Sequence, residues 1–176
     1  DDPAEDMNLP LADVPRWKLR EQLAQEKTAL GFYLSGHPYQ EYEQELSNFV
    51  SMRLHKVTPE ILPAANGRSR RHEKELVLAG IISGIRILQT RRGRMAVLTL
   101  DDGSAQIEMT VFNDLFEPNR NWLRDDQLVV ARGRASMDEY SGGMRISADA
   151  LHDFASARAT FAKRLDIDCS MDDKVC

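Results

Sequence analysis

The sequence is poor in cysteine and contains no long apolar run. Its two cysteines, Cys169 and Cys176, both lie within the last eight of 176 residues. They come too late in the chain to cross-link a core, and no second pair is present to complete a zinc site. No apolar run approaches the roughly 18 residues needed to span a bilayer, and no secretory signal is visible at the N-terminus. We therefore expect no membrane association and a reduced, cytoplasmic location.

Positive charge is also scarce. The formal net charge is −5, a balance that argues against strong nucleic acid binding. Segment 75–154 holds 9 Arg and no Lys against 12 acidic residues, whereas Asn66–Lys74 holds 4 basic residues against Glu73 alone. Any attraction for phosphate must then come from a local face of the protein, and we expect such binding to be weak and salt-sensitive.

Motifs for catalysis, metals and cofactors are missing too. Asp101 and Asp102 are adjacent at the end of a predicted strand, where successive side chains face opposite ways, so a turn is favoured over a two-metal site. There is no glycine-rich loop of the kind that holds phosphates. We therefore expect no catalytic residue, no metal site and no cofactor in this chain. The histidines share no ligand spacing and are His37, His55, His72 and His152.

The first 74 residues predict helices joined by linkers. Residues 1–15 are polar and aperiodic and indicate a linker, and because the chain does not begin with Met we expect a fragment of a longer protein. Residues 16–65 predict a helical hairpin and a connector helix: one helix from Arg16 to a stop near Ser35–Pro38, a second from residue 39 or 40 to Phe49, and a helical turn at Thr58–Leu62. Residues 66–74 predict a basic linker.

Segment 75–154 predicts five strands with one helix after the third. Asp102 and Gly103 form a hairpin signal, and Pro118 predicts that the regular part of the helix within Asn113–Leu123 begins near Glu117. This order is that of the OB-fold, a small barrel that commonly binds single-stranded nucleic acid. The predicted strands are Leu76–Leu88, with Gly80 and Gly84 at a bend, Met95–Asp101, Ala105–Phe112, Gln127–Met137 and Met144–Ala150.

The predicted fold class is therefore α+β. An N-terminal helical hairpin precedes a five-stranded Greek-key OB-fold barrel in residues 75–154, and a C-terminal helix and tail follow in residues 155–176.

Four motifs in the same order resemble a known family. They are EKTALGFYLSGHP at Glu26–Pro38, VLTLDDG at Val97–Gly103, VF at Val111–Phe112 and DEYSGGMR at Asp138–Arg145. Together they closely resemble the C-terminal region of the bacterial DNA polymerase III alpha subunit, the replicative DNA polymerase. The resemblance covers residues 16–165, most of the chain.

The resemblance implies a role in DNA replication. The parent protein thus resembles a DNA-directed DNA polymerase, a nucleotidyltransferase, but neither the family's palm aspartates nor its phosphoesterase-like site is visible in this sequence. Whether this chain counts as an enzyme is left open. In the family the barrel is similar to a handler of single-stranded DNA near the template. Other replisome subunits are expected partners, with the sliding-clamp and clamp-loader tau contacts lying outside this chain.

Candidate nucleic-acid-binding residues follow from the usual geometry of the OB-fold. Ligands of this fold lie across the second and third strands and are gripped by the loops joining strands one to two and four to five. Arginine pairs with phosphate and stacks on bases, while aromatic rings offer flat faces to unpaired bases. The predicted residues are Arg91, Arg92 and Arg94 in the first loop, Tyr140 in the second, and Arg132, Arg134, Arg145 and Phe112 on the strands.

Two other functions are kept as alternatives. The acidic balance supports a protein-docking scaffold within the replisome that makes little contact with DNA. The third possibility is an appended tRNA-binding barrel of a synthetase, which the motif ending at Pro38 disfavours. Arginines at a hairpin tip also serve solubility, and Phe112 would also cover the end of its strand.

Overall fold

The computed structural model describes residues 16–63, 73–90, 93–138 and 143–161. The chain divides into two compact units, Asp1–Gly36 and His37–Cys176. None of the helices in these described ranges is both long and apolar enough to cross a membrane. The helices are α1 (Leu19–Leu30), α2 (Glu43–Leu46), α3 (Asn113–Asn119) and α4 (Phe154–Phe161). The strands are β1 (Lys74–Thr90), β2 (Gly93–Asp101), β3 (Gln106–Phe112), β4 (Leu128–Met137) and β5 (Met144–His152).

Helix α1 ends earlier than its periodicity predicted. The predicted stop near Ser35–Pro38 is wrong, because Gly31 already adopts the left-handed conformation at φ 80° and its N–H bonds to the carbonyl of Lys27. The carboxylate of Glu26 then accepts hydrogen bonds from the N–H groups of Leu34 (2.7 Å) and Ser35 (2.9 Å). Together with the bond from the Ser35 hydroxyl, these lower the pKa of Glu26 to about 2. The loop after α1 therefore folds back on the helix.

The second predicted helix, from residue 39 or 40 to Phe49, is not continuous. A 3-10 turn at Pro38–Glu41 is followed by α2, which has only four residues. Tyr39 and Leu46 are buried against the barrel, so packing rather than helical periodicity sets the path of this segment. The predicted turn at Thr58–Leu62 is a 3-10 turn at Pro59–Ile61, and another 3-10 turn occurs at Leu54–Lys56.

The five strands form a closed barrel in the order β1-β2-β3-β5-β4, which confirms the predicted fold class. Strand β1 has 17 residues and pairs antiparallel with β4 over its first half and with β2 over its second half. Between the two halves the register with β2 shifts at Ile82 and Gly84, the bulge expected for a bent strand. A short parallel pairing of β3 with β5, at Met109 and Thr110, completes the ring.

Helix α3 begins before the predicted position. It starts at Asn113 rather than near Glu117, and it contains Pro118 in its last turn. A proline at this position lacks the N–H that would bond to the carbonyl of Asp114, and its ring crowds that carbonyl, so it marks the end of the helix. The side-chain amide of Asn119 donates to the carbonyl of Leu115 at 2.7 Å and satisfies this end of the helix.

Two apolar clusters decide which surfaces of the barrel are covered. The larger one fills the interior with inward-facing residues such as Leu98, Met109 and Val129. The second lies outside the barrel, where Tyr39, Leu46 and Ala157 pack on the outer sides of β1 and β4. The residues contributed by the two strands are Ala79, Ile81, Leu128 and Val130. The outer side of β2 and β3 is therefore left uncovered by this cluster.

A buried carboxylate fastens the segment before the barrel to the β2–β3 turn. Asp102 is 2% exposed and accepts hydrogen bonds from Arg53 Nε at 2.8 Å and from the N–H of Leu54 at 2.9 Å. Its second oxygen accepts from the N–H of Ser104 at 2.8 Å and from the Ser104 hydroxyl. Burial opposes ionisation, but the hydrogen bonds from Ser104, Leu54 and Arg53 outweigh it and lower the pKa of Asp102 to about 2.

Replacing this carboxylate should destabilise the fold in a pH-dependent way. We expect Asp102→Asn to reduce the free energy of unfolding by about 3 kcal/mol at pH 7, because Arg53 loses its buried partner. The folded-state pKa lies below the usual 3.8, so this stabilisation is present above about pH 4 and is lost as the pH falls towards 2. Urea unfolding should therefore show the gap between the two proteins shrinking by about 2 kcal/mol over that range.

The exposed Glu60→Gln variant is the control for this experiment and should track the wild type. A gap between Asp102→Asn and the wild type that stays constant from pH 7 to about pH 2 would contradict the role given to the carboxylate.

A second prediction concerns the close approach of β4 and β5. A Cβ added at Gly133 would lie 2.4 Å from the backbone carbonyl oxygen of Ser147, at the point where the register between the strands shifts. We expect Gly133→Ala to cost about 1–3 kcal/mol of stability, because the backbone of β5 must move. In the matched control, Gly84→Ala, the new Cβ would meet only the Thr99 hydroxyl at 3.8 Å. Thermal unfolding should show no loss for this control, and equal losses would contradict the argument.

Candidate nucleic-acid interface

The open outer face of the barrel consists of cross-strand rows from β1, β2 and β3. Leu88 lies opposite Met95, which lies opposite Phe112. Directly opposed residues point to the same side of a sheet, so these three side chains form one apolar row across three strands. Leu88 is 43% exposed and Phe112 is 47% exposed. The face therefore presents an accessible apolar strip near the β1–β2 loop.

A cation lies beside this strip. The guanidinium carbon of Arg145, at the start of β5, lies 5.9 Å from the centre of the Phe112 ring. Next to them is a shallow cleft of about 270 Å³, which is large enough to admit part of a ligand. Because a guanidinium beside an aromatic ring suits both bases and phosphates, this arrangement fits an unpaired nucleotide. The lining residues are Met95, Val97, Glu108, Thr110, Asp138, Met144, Arg145 and Ile146.

Arg94 lies at the base of the β1–β2 loop, but its side chain points to the other side of β2 from Met95, towards α3. It follows the β1–β2 loop, directly before Met95, and its side chain is 54% exposed. Its guanidinium is 3.7 Å from the carboxylate of Glu117 in α3, a loose contact at the surface. Such exposed ion pairs contribute little to stability, so Arg94 can exchange this partner for a phosphate at small cost.

The structure places the two arginines of β4 elsewhere. Arg132 and Arg134 continue the outward-facing row of Leu128 and Val130, the row that the outer cluster covers. Arg132 lies 3.7 Å from the carboxylate of Glu75. Arg134 is bound more firmly, by Asp149 and Glu73. Arg134 lies opposite Ser147 of β5, two residues along that strand from Arg145, whereas Arg132 lies opposite Ala150, further from Arg145.

Arg134 is held by two carboxylates. It bonds to both oxygens of Asp149, at 2.9 and 2.7 Å, and it also reaches Glu73 at 3.3 Å. The hydrogen bond to Asp149 is the main reason that the pKa of Arg134 is raised. A bidentate pair of this kind is geometrically demanding, so this guanidinium is less available for phosphate than that of Arg145.

Three predicted residues cannot be placed on this face. Arg91, Arg92 and Tyr140 lie outside the described residues. Their contact with nucleic acid stays a prediction from the sequence.

Several residues of the open face escaped sequence reasoning. Arg86, Leu88 and Met95 sit on the same side as Phe112 because of the strand register, and Val97 forms the floor between Arg86 and Thr110. Counting alternate positions outward from the Asp102–Gly103 turn would have found the β2 and β3 members. The bulge in β1 shifts the alternation of inward and outward side chains. The sequence alone therefore does not show on which side of the sheet Arg86 and Leu88 lie.

Possible metal ligands were also compared with the geometry that an ion requires. Within the described ranges, no group of three or more His, Cys, Asp or Glu residues lies close enough to hold an ion. The side chains of the face can act through stacking and guanidinium contacts.

Comparison with known proteins agrees with this geometry. A family model described as an OB-fold nucleic acid binding domain, tRNA anti-codon, matches residues 76–153. The DNA polymerase III subunit alpha of Vibrio cholerae serotype O1 is 34% identical over 167 residues, which make up 94% of this chain and 14% of that protein. The corresponding subunit of Neisseria meningitidis serogroup A is 34% identical over 159 residues, which make up 89% of this chain and 13% of that protein.

The chain thus spans about one seventh of the length of these relatives. Among solved structures, asparaginyl-tRNA synthetase from Pyrococcus horikoshii is similar with a TM-score of 0.43 and 17% identity. The similarity covers 58% of this chain and 22% of the synthetase, and it is too distant to support an argument about function.

The exposure of Phe112 leads to a prediction about stability. Phe112 lies on the surface, whereas Phe116 in the following helix is only 4% exposed and belongs to the interior cluster. We expect Phe112→Ala to change the free energy of unfolding by less than about 1 kcal/mol and Phe116→Ala to reduce it by about 3–5 kcal/mol. Chemical denaturation measures both. A large loss for Phe112→Ala would mean that this ring covers the end of its strand and is not available to a ligand.

Proposed function

The chain belongs to the DNA polymerase III alpha subunit family, of which it spans one segment, and from that premise we propose that it binds single-stranded DNA on the open face of its barrel. The bound strand crosses β2 and β3. The bases stack on the strip of Leu88, Met95 and Phe112, and the guanidinium of Arg145 meets a base or phosphate beside them.

The observation that carries the proposal is the pairing of Arg145 with the exposed Phe112 ring beside the cleft. A buried ring would be explained by packing, but this one keeps 47% of its surface exposed. Each base stacked on an aromatic ring contributes on the order of 1–3 kcal/mol, whatever the base. A few such contacts are enough for weak, sequence-tolerant binding.

In the whole polymerase we propose that this module guides the template strand towards an active site located elsewhere in the protein. A chain with net charge −5 should hold DNA loosely and with strong salt dependence. Loose contact suits a strand that must move past the module during replication. Contacts with other replisome subunits are proposed to lie outside this segment.

Fluorescence anisotropy with labelled oligo-dT at about 50 mM salt tests the proposal. We expect Phe112→Ala to weaken binding by about 5- to 100-fold, the loss of one base stack. The double variant Arg94→Ala, Arg145→Ala should also weaken binding. It should make the negative slope of log K against log salt shallower by about 1.4, because each lost phosphate contact on a single strand accounts for about 0.7.

Matched controls separate the open face from general charge effects. The double variant Arg132→Ala, Arg134→Ala removes the same charge from β4, where both guanidinium groups already meet carboxylates, and should leave the slope unchanged. Ile87→Ala removes a side chain that is 59% exposed and one position away from Leu88, and it should bind like the wild type. The loop predicted from the sequence is tested by the triple variant Arg91→Ala, Arg92→Ala, Arg94→Ala. Equal effects from both double arginine variants would contradict the assignment of the face.

The second candidate function is a protein-docking scaffold. It is favoured by the carboxylates that already occupy Arg132 and Arg134 and by the acidic balance of the chain. A wild-type protein that binds no oligonucleotide at about 50 mM salt but co-purifies with another replisome subunit would support this function instead.

A further inference from the structure

One ion pair spans the open face. The Arg86 guanidinium nitrogen lies 2.5 Å from the Glu108 carboxylate, and both side chains are about 60% exposed. Arg86 is on β1 opposite Val97, and Glu108 is on β3 opposite Thr99, so the pair reaches diagonally across β2. Glu108 and Val97 also line the cleft. The pair therefore lies across the surface on which a DNA strand is proposed to run.

We propose that Glu108 is a built-in competitor for DNA, which keeps Arg86 from binding the phosphates of a strand on this face. This inference rests on the proposed function and adds a limit on affinity to it. Arg86 is the cation of β1 on this side, one row from the strip of Leu88, Met95 and Phe112. A free guanidinium at this position would add one phosphate contact to those of Arg94 and Arg145.

The geometry favours competition over a structural role for the pair. Both partners are largely exposed, so the pair adds little to stability. Unlike the 3.7 Å contact of Arg94 with Glu117, however, it is a direct hydrogen bond of 2.5 Å, so a phosphate must displace Glu108 to reach Arg86. The Glu108 charge lies beside the cleft, where it also repels phosphates directly. Removing the Glu108 carboxylate therefore takes away a charge that repels phosphates and leaves the Arg86 guanidinium able to bind one. The pair keeps the strand weakly held, so that it can pass over the face.

The test measures oligo-dT binding by anisotropy from about 50 to about 200 mM salt for the wild type, Glu108→Gln, Arg86→Gln and the double variant. We expect Glu108→Gln to bind more tightly at low salt and to steepen the salt slope by about 0.7, the value for one new phosphate contact on a single strand. The affinity lost across this salt range should therefore become about threefold larger than in the wild type. Arg86→Gln alone should change the slope little, because Arg86 is already occupied.

The double variant Arg86→Gln, Glu108→Gln should return to the wild-type slope. The matched control is Glu75→Gln, which removes an equally exposed carboxylate from an ion pair with Arg132 on the other side of the barrel. It changes net charge by the same amount and should leave the slope unchanged. Urea unfolding should show all variants folded to the same extent.

The outcomes separate this inference from the function on which it rests. If the wild type binds and Glu108→Gln behaves like Glu75→Gln, the competition is refuted while DNA binding stands. A gain of the same size in the double variant would also refute it, because the gain would then come from the lost repulsion of Glu108 alone. If neither the wild type nor any variant binds at about 50 mM salt, DNA binding and the inference both fall.

Discussion

The whole barrel depends on one strand that pairs with two neighbours. The first half of β1 bonds to β4 and its second half to β2, and the bulge at Ile82 and Gly84 lets the strand turn between them. A straight strand would leave an open sheet, because β3 and β5 would not meet at their short parallel pairing. The cleft has walls from β2, β3 and β5. It exists only because the sheet closes.

Burial then decides which side of the closed barrel remains available. The segment containing Tyr39 and Leu46, together with α4, covers the outer sides of β1 and β4. Arg158 of α4 binds Glu45 and lies 4.3 Å above the ring of Phe154, which adds polar contacts to this apolar cover. Binding on that side would require these contacts to break. The opposite side, with its exposed Phe112, needs no such rearrangement.

Carboxylates hold some arginines of the barrel more tightly than others. The acidic residues of the barrel engage arginines on both sides, but the geometry of the engagement differs. Arg134 is bound through two nitrogens to one carboxylate and touches a second, whereas Arg94 has one loose contact at 3.7 Å and Arg145 faces a ring. A protein with an overall negative charge can therefore still present guanidinium groups where a strand would lie.

The sequence predicted the barrel well because strands and hairpins follow local rules. Alternating burial, the Asp102–Gly103 turn and the order of elements depend on neighbours a few residues apart, and the observed bounds of β2 to β5 lie within two residues of those predicted. Local patterns failed where tertiary packing chose between alternatives. Gly31 ends α1 before the predicted stop near Ser35–Pro38. The predicted second helix is divided into a 3-10 turn and the short helix α2, because Tyr39 and Leu46 are buried on the barrel.

The alternation of residues alone thus determined the strands and the existence of a barrel with an arginine-rich first loop. Only the tertiary structure decided which arginines share a face. Arg134 meets Asp149 and Glu73 across 15 and 61 residues of sequence, and Arg86 meets Glu108 across 22. Such pairs form because closure of the sheet brings distant strands side by side, and no local pattern of residues encodes that distance.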